Sequence, residues 1–206
     1  MKEKKIEDFL KELGSDKGIP GGGTATALVA AISGALMTMV TNLTRGKEKY
    51  KDVEEEMNTL LLIINNLTMS LESTIDEDGE AFEEVMKTWK LPKHTEEEQK
   101  IRKIEIEKAS RKAAEVPYAV AEASLKILDY TKIIAKRGNK NVISDSLCCA
   151  VFAHAALIAS IYNVKINLKS IKDEEYVEKM IVKFENMEQK ADEILTEIRK
   201  IVDKAL

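Results

Sequence analysis

The sequence predicts an all-α protein, an up-and-down bundle of about six to seven helices with two uncharged helices at its centre. Apolar residues recur at three- and four-residue spacing along most of the 206 residues, which is the period of amphipathic helices. Two windows, 18–44 and 146–164, carry no charged side chain, although 33% of the chain is Asp, Glu, Lys or Arg. Helices that are apolar all round are expected at the centre of a bundle. Residues 1–206 show no repeat or boundary and should form one domain.

The helices follow in order from this period and from the residues that interrupt it. They are predicted over residues 6–13, 24–44, 50–89, 95–137, 144–162 and 173–205. A capping box at Thr95 should begin the fourth helix, and Pro117 should kink or break it, which makes the count six or seven. Ser144 or Asp145 should cap the fifth helix. Residues 164–168 are predicted to be a short extended piece.

The first uncharged window raises the question of a membrane span. It exceeds the roughly 20 apolar residues that cross a bilayer, but hydroxyl and amide side chains interrupt it and small residues fill most of the remainder. Strongly charged amphipathic helices flank both windows. The sequence therefore predicts the core of a soluble bundle and no membrane partner.

Composition excludes several other classes. The net charge is -4 and aromatic residues make up 5%, which does not suit a nucleic-acid-binding face. The two cysteines, Cys148 and Cys149, are adjacent, and no second pair exists for a metal site. The first residues lack the apolar core of a signal peptide. A cytoplasmic protein without a bound metal is expected.

A glycine run opens the second helix. The backbone N–H groups of Gly21, Gly22, Gly23 and Thr24 would lie at the positive end of the helix dipole, where anions bind. A phosphate-binding Walker loop needs a lysine after the last glycine, and none is present. Two interpretations stay open: a ligand-binding turn, or glycines that permit a tight turn and close packing.

Five motifs, in order, resemble those of the cyclodeaminase family, which includes the cyclodeaminase half of formiminotransferase-cyclodeaminase and a methenyltetrahydrofolate cyclohydrolase branch. They are PGGGTATA from Pro20, MVTNLTRG from Met39, DGEAFEEVM from Asp78, GNKNVISDS from Gly138 and NVKINL from Asn163. The resemblance covers essentially the whole chain. Residues 146–150, SLCCA, are bulkier than the small residues that relatives carry there, so the adjacent packing or pocket should differ.

The resemblance implies an enzyme that acts on a tetrahydrofolate derivative, without a metal or redox cofactor, and that forms a homodimer. Cyclodeamination of 5-formiminotetrahydrofolate, with release of ammonia, is the first expectation. Hydrolysis of 5,10-methenyltetrahydrofolate to 10-formyltetrahydrofolate is the alternative. A short helix alone precedes the first motif, so no formiminotransferase domain is expected, which slightly favours the alternative. A non-catalytic helical dimerisation module is a further possibility, which failure to bind reduced folate would favour.

Both reactions need a proton donor, a proton acceptor and a negative charge near a cationic carbon. Asp78 and Asp145 are the candidates for these roles. Asp145 could instead be a plain helix cap. Asp78 could lie on a solvated acidic face, but helical spacing puts it on the same side as Phe82, which argues that it points inward.

The folate itself needs hydrogen-bonding groups and, for its glutamate tail, cations. Besides the glycine turn and Thr24, the candidates are Asn42, Arg45, Lys47, Lys93, Asn139, Lys140, Asn141 and Ser144. Each lysine could equally be a solvated surface charge. His154, within an alanine-rich helix, is interpreted as a core or interface residue, and the cysteines as packing residues.

Overall fold

The computed structural model describes Met1 and residues 3–206 and confirms the all-α prediction, because none of these residues lies in a strand. Short 3-10 helices precede α3 and α5, at Glu48–Val53 and Lys140–Val142. The α-helices are α1 Ile6–Leu13, α2 Gly22–Asn42, α3 Glu54–Trp89, α4 Glu96–Arg137, α5 Ile143–Leu168 and α6 Glu174–Asp203.

Helices α2 and α5, which contain the two uncharged windows, pack against each other in the centre, and they run antiparallel. Near the start of α2, Thr26 contacts Asn163 close to the end of α5. Just after α2, the Leu43 carbonyl accepts a hydrogen bond from Asn139, which precedes α5. Helices α3 and α4 cover α2, while α4 and α6 cover α5. Helix α3 also runs antiparallel to α2.

Small residues bring these helix axes close together. Ala27 and Ala30 of α2 are fully buried, and a Cβ atom on Gly34 would lie 2.3 Å from the Thr68 Oγ1 of α3. The buried Cys149 thiol of α5 donates to the Ser33 carbonyl at 3.1 Å. The predicted centre of two uncharged helices is therefore confirmed, with glycine and alanine at the contacts.

Pro117 was predicted either to kink the fourth helix or to break it into two. The break is wrong, because α4 is one continuous helix. Proline lacks the N–H that would bond the carbonyl four residues earlier, at Ala113. The side chain of Asn167 donates to that carbonyl instead, at 3.4 Å. Tertiary packing thus supplies a replacement for the missing backbone hydrogen bond.

Two further local predictions are also wrong. Residues 164–168 are helical, because Val164 and Leu168 are both buried on the same face of α5. Ser144 and Asp145 do not cap α5, which begins at Ile143 after Val142; the cap in this turn is Asn139, whose side chain accepts from the Asn141 N–H. The capping box at Thr95 is confirmed.

By length and composition alone, two segments could cross a membrane, Gly22–Asn42 and Lys140–Leu168. They are the two central helices of the bundle, and the core helix of a soluble protein has the same properties. Their presence therefore does not indicate a membrane protein.

Candidate active site

A cavity of about 490 Å³ opens between the start of α2, the second half of α3, the middle of α4 and the end of α5. One wall is apolar and comes mainly from α3, where Phe82, Met86 and Trp89 are each partly exposed to solvent. The polar side chains of the lining, called here the polar wall, are Asp78 of α3 and, from the other elements, Thr24, Ser110, Asn163, Asn167, Lys169 and Ser170.

Asp78 lies in this cavity, directly against the first turn of α2. Its carboxylate accepts a hydrogen bond from the Thr24 hydroxyl at 2.8 Å and another from the Thr24 backbone N–H. Burial raises the pKa of Asp78 above its ordinary value, and this effect outweighs both hydrogen bonds, which lower the pKa. Asp78 is therefore a half-buried carboxyl group whose pKa lies above that of an exposed aspartate.

The glycine turn permits this contact. A Cβ atom on Gly23 would lie 2.0 Å from the Asp78 Oδ1, far inside any allowed separation. Gly21 is the N-cap of α2, and Gly22 and Gly23 are its first two residues. Gly23 therefore allows the Asp78 carboxylate to lie directly against the N-terminus of α2. The anionic group at this helix N-terminus is thus a side chain of the protein itself.

The other predicted carboxylate lies far from this cavity. Asp145 is half-buried in the first turn of α5, and Asn163 is 18 positions further along the same helix. At 1.5 Å per residue that separation is about 27 Å. Within one chain, Asp78 and Asp145 are not brought together.

Most of the predicted substrate-binding residues lie near Asp145, at the end of α2. Asn42 is exposed and accepts from the Arg45 guanidinium at 3.3 Å, and Arg45 also donates to Asn58 of α3. Lys47 is exposed beside them, and so are Asn141 and Ser144 near the start of α5. These residues form a polar surface well away from the cavity.

Asn139 and Lys140 are used by the fold itself. The buried side chain of Asn139 donates to the Leu43 carbonyl at 2.8 Å and accepts from the Asn141 N–H at 3.1 Å. The Lys140 ammonium donates to the carbonyls of Ala135 and Lys136 at the end of α4. Partial burial lowers the pKa of Lys140.

Lys93 lies in the exposed loop between α3 and α4, and it does not line the cavity. His154 pairs with Asp192 of α6 at 2.6 Å, on the surface between α5 and α6. Burial raises the pKa of the Cys149 thiol to about 12, which suits the predicted packing role.

Sequence reasoning missed five polar residues of the cavity: Ser110, Asn163, Asn167, Lys169 and Ser170. Asn163 and Asn167 belong to the NVKINL motif, whose residues 164–168 were predicted to be extended. The four-residue spacing of the apolar residues Val164 and Leu168 is the signal that would have indicated a helix, and the same spacing puts both amides on one of its faces.

Comparison with known proteins agrees with this architecture. Residues 5–186 match the sequence profile of the family described as formiminotransferase-cyclodeaminase. The methenyltetrahydrofolate cyclohydrolase of Methylorubrum extorquens is 38% identical over 88% of each chain. The formimidoyltransferase-cyclodeaminase of Mus musculus is 30% identical over 90% of this chain, which spans 34% of that longer protein. A crystal structure of formiminotetrahydrofolate cyclodeaminase from Thermotoga maritima superposes with a TM-score of 0.88 and 32% identity, covering 98% of this chain and 97% of that one.

The fold and these relatives define the class, an all-α enzyme of folate one-carbon metabolism. The chain belongs to the formiminotransferase-cyclodeaminase family, as its five motifs predicted.

Proposed function

We propose that this protein hydrolyses the one-carbon bridge of 5,10-methenyltetrahydrofolate and that Asp78 is its catalytic carboxylate. The observation that carries the proposal is the position of Asp78, half-buried in the cavity and held by Thr24. The cyclohydrolase relative, similar over 88% of both chains, favours hydrolysis. The sequence alone had placed cyclodeamination first.

The chemistry suits a carboxylate in a partly apolar cavity. The methenyl carbon lies between N5 and N10 in an amidinium-like cation, which a nearby negative charge stabilises. When water adds to this carbon, Asp78 accepts one of its protons. The bond between the carbon and N5 then breaks as N5 takes that proton from Asp78, the second proton of the added water leaves to solvent, and the carbon remains on N10 as a formyl group.

Cyclodeamination of 5-formiminotetrahydrofolate is the second candidate, supported by the similarity to the Thermotoga maritima cyclodeaminase over nearly the full length of both chains. In this reaction N10 attacks the formimino carbon, Asp78 accepts the proton that N10 loses, and the proton is returned to the nitrogen that leaves as ammonia. The same cavity and the same carboxylate serve both reactions, since both pass through a tetrahedral carbon that carries nitrogen.

The rest of the cavity suits the rest of a folate. The apolar wall of Phe82, Met86 and Trp89 offers a surface on which flat rings can stack. Lys169, exposed at the cavity edge, is the cation there that can pair with a glutamate carboxylate. The proposal includes no metal or redox cofactor, because both reactions move only protons and one carbon centre.

We further propose that the protein is a cytoplasmic homodimer. Partly exposed apolar side chains on α3 and α4, among them Trp89, Ile101 and Ile104, support the dimer, because exposed apolar surface favours association. Light scattering at micromolar concentration should give twice the mass of the chain, and a monomeric mass would contradict the proposal.

Two parallel assays test the reaction, both following the absorbance of the methenyl bridge. With 5,10-methenyltetrahydrofolate, an absorbance that falls faster than it does without the protein shows hydrolysis. With 5-formiminotetrahydrofolate, an absorbance that rises shows cyclodeamination. Either signal should disappear with Asp78→Asn. If wild type changes neither signal, the proposed function is wrong.

A further inference from the structure

The polar wall of the cavity carries two amides whose orientation can be deduced. The Asn163 Nδ2 lies 3.1 Å from the Ala159 carbonyl, and the Asn167 Nδ2 lies 3.0 Å from the Asn163 carbonyl. A carbonyl oxygen can only accept, so the NH₂ group of each amide must face it. The oxygen of each amide therefore points the other way.

A second contact holds each amide in this orientation. The Asn167 Nδ2 also donates to the Ala113 carbonyl, which has no backbone partner because Pro117 lacks an N–H. The Asn163 Nδ2 reaches the Thr26 hydroxyl at 3.5 Å. These contacts limit rotation of both side chains.

Among the residues that the structure describes, no donor bonds to the Oδ1 of either asparagine, and both residues line the cavity. The Asn163 Oδ1 lies 3.7 Å from the position of a Cβ atom on Gly22, next to the glycine that Asp78 contacts. A ligand in the cavity thus meets acceptors from Asp78, Asn163 and Asn167 on one wall. The complementary ligand presents several N–H donors.

We propose that Asn163 and Asn167 select the 2-amino-4-oxopyrimidine ring of the folate, the Asn163 side-chain oxygen accepting from its 2-amino group and the Asn167 side-chain oxygen from its N3–H. This inference rests on the proposed function, and it assigns these residues to substrate specificity rather than to the chemical step. The donor edge lies at the opposite end of the fused ring from N5, so the two amides and Asp78 act on different parts of one substrate.

The test uses the 206-residue chain, 5,10-methenyltetrahydrofolate, and the analogue in which a methyl group replaces the 2-amino group. Wild type should have a KM about 10-fold higher for the analogue, the effect of one lost hydrogen bond. Asn163→Ala should raise the KM for the natural substrate about 10-fold and leave kcat within about 3-fold. Because both changes remove the same hydrogen bond, the variant should show no further loss on the analogue.

Two variants keep the test decisive if Asn163→Ala folds poorly. Asn163→Asp retains an acceptor oxygen and should keep the discrimination between the two substrates. Asn167→Ala should raise the KM for both substrates and also keep the discrimination, because the N3–H that it contacts is present in both. Asn66→Ala, an exposed asparagine of α3, is the matched control and should behave as wild type. If the KM of Asn163→Ala for the analogue is raised by the product of the two separate increases, the inference is wrong. It is also wrong if Asn163→Ala lowers kcat and leaves KM unchanged.

Equilibrium binding of tetrahydrofolate and its 2-methyl analogue separates this inference from the proposed function. If wild type binds tetrahydrofolate but turns over neither substrate, the proposed reaction fails, and the same comparison of variants by affinity still decides the role of the amides. If wild type turns over substrate and Asn163→Ala still discriminates fully, the inference alone fails. If no reduced folate binds, both fail.

Discussion

The two ends of the central α2–α5 pair use similar polar residues in opposite ways. At the start of α2, Asp78, Asn163 and Asn167 leave acceptor oxygens facing a cavity. At the end of α2, the amide of Asn139 bonds on both sides to the protein, to Leu43 and to Asn141. The Tyr50 hydroxyl belongs to the same network, because it accepts a hydrogen bond from the Lys140 N–H at 3.1 Å.

The difference shows what separates a binding group from a structural one. Both ends carry motifs typical of the family, and both contain amides and a carboxylate. A polar group that the fold already satisfies has nothing left to offer a ligand, whereas one with a free acceptor in a cavity does. This criterion favours the cavity at the start of α2 as the proposed site, whereas Asn139 at the other end serves the fold.

The largest expected effect is on Asp78. Asp78→Asn keeps the shape and removes the charge and the proton acceptor, so kcat should fall about 10³-fold, within the range for general acid–base groups. The absorbance assay of the methenyl bridge measures it, and circular dichroism checks the fold. A variant that keeps more than about a tenth of wild-type kcat would contradict a catalytic role for this residue.

Gly23→Ala should come next. The added methyl group would lie 2.0 Å from the Asp78 carboxylate and must displace it, so kcat should fall by about 10²-fold through misplacement alone. Gly34→Ala is the matched control, because its methyl group would clash with Thr68 instead, between α2 and α3. That control should lower the melting temperature and leave kcat per folded molecule unchanged.

At the other end, Asn139→Ala tests whether a predicted substrate-binding residue is structural. The change leaves the Leu43 carbonyl and the Asn141 N–H without partners, and should lower the free energy of unfolding by about 2 kcal/mol. Urea unfolding measures this loss. An undiminished stability together with a raised KM would restore Asn139 to the substrate site.

Asp145→Asn should have a smaller effect on activity, because Asp145 lies about 27 Å along α5 from the cavity residue Asn163. The kcat should stay within about 10-fold of wild type under assays identical to those for Asp78→Asn. If kcat falls equally in Asp145→Asn and Asp78→Asn, Asp145 takes part in the reaction and both ends of the central helices contribute to the site.

The smallest effect expected is on the pH dependence of stability. Burial raises the pKa of Asp78 in the folded state, so its contribution to stability is present below the ordinary aspartate pKa and is lost as pH rises through the raised value. Asp78→Asn should therefore be more stable than wild type at neutral pH, and this advantage should disappear in acid. Urea midpoints across pH measure it, and an advantage that grows in acid would contradict the assignment.

The sequence by itself determined the helices and their centre. Periodicity and charge placed α2 and α5 inside, the capping box placed the start of α4 at Thr95, and helical spacing put Asp78 on the inward face with Phe82. These are local properties, which depend on residues within a few positions of one another. The family followed from five motifs read in order.

The tertiary structure decided the site. Asp78 meets Thr24 across 54 positions of sequence, and Asn167 replaces at Ala113 the hydrogen bond that Pro117 cannot make. The packing of one helix on another creates both contacts, so no local pattern announced them. The predicted break at Pro117 was wrong for the same reason, whereas residues 164–168 carried a local four-residue spacing that indicated a helix. Which amides face the cavity, and which are consumed by the fold, depends on neighbours that only the folded chain brings together.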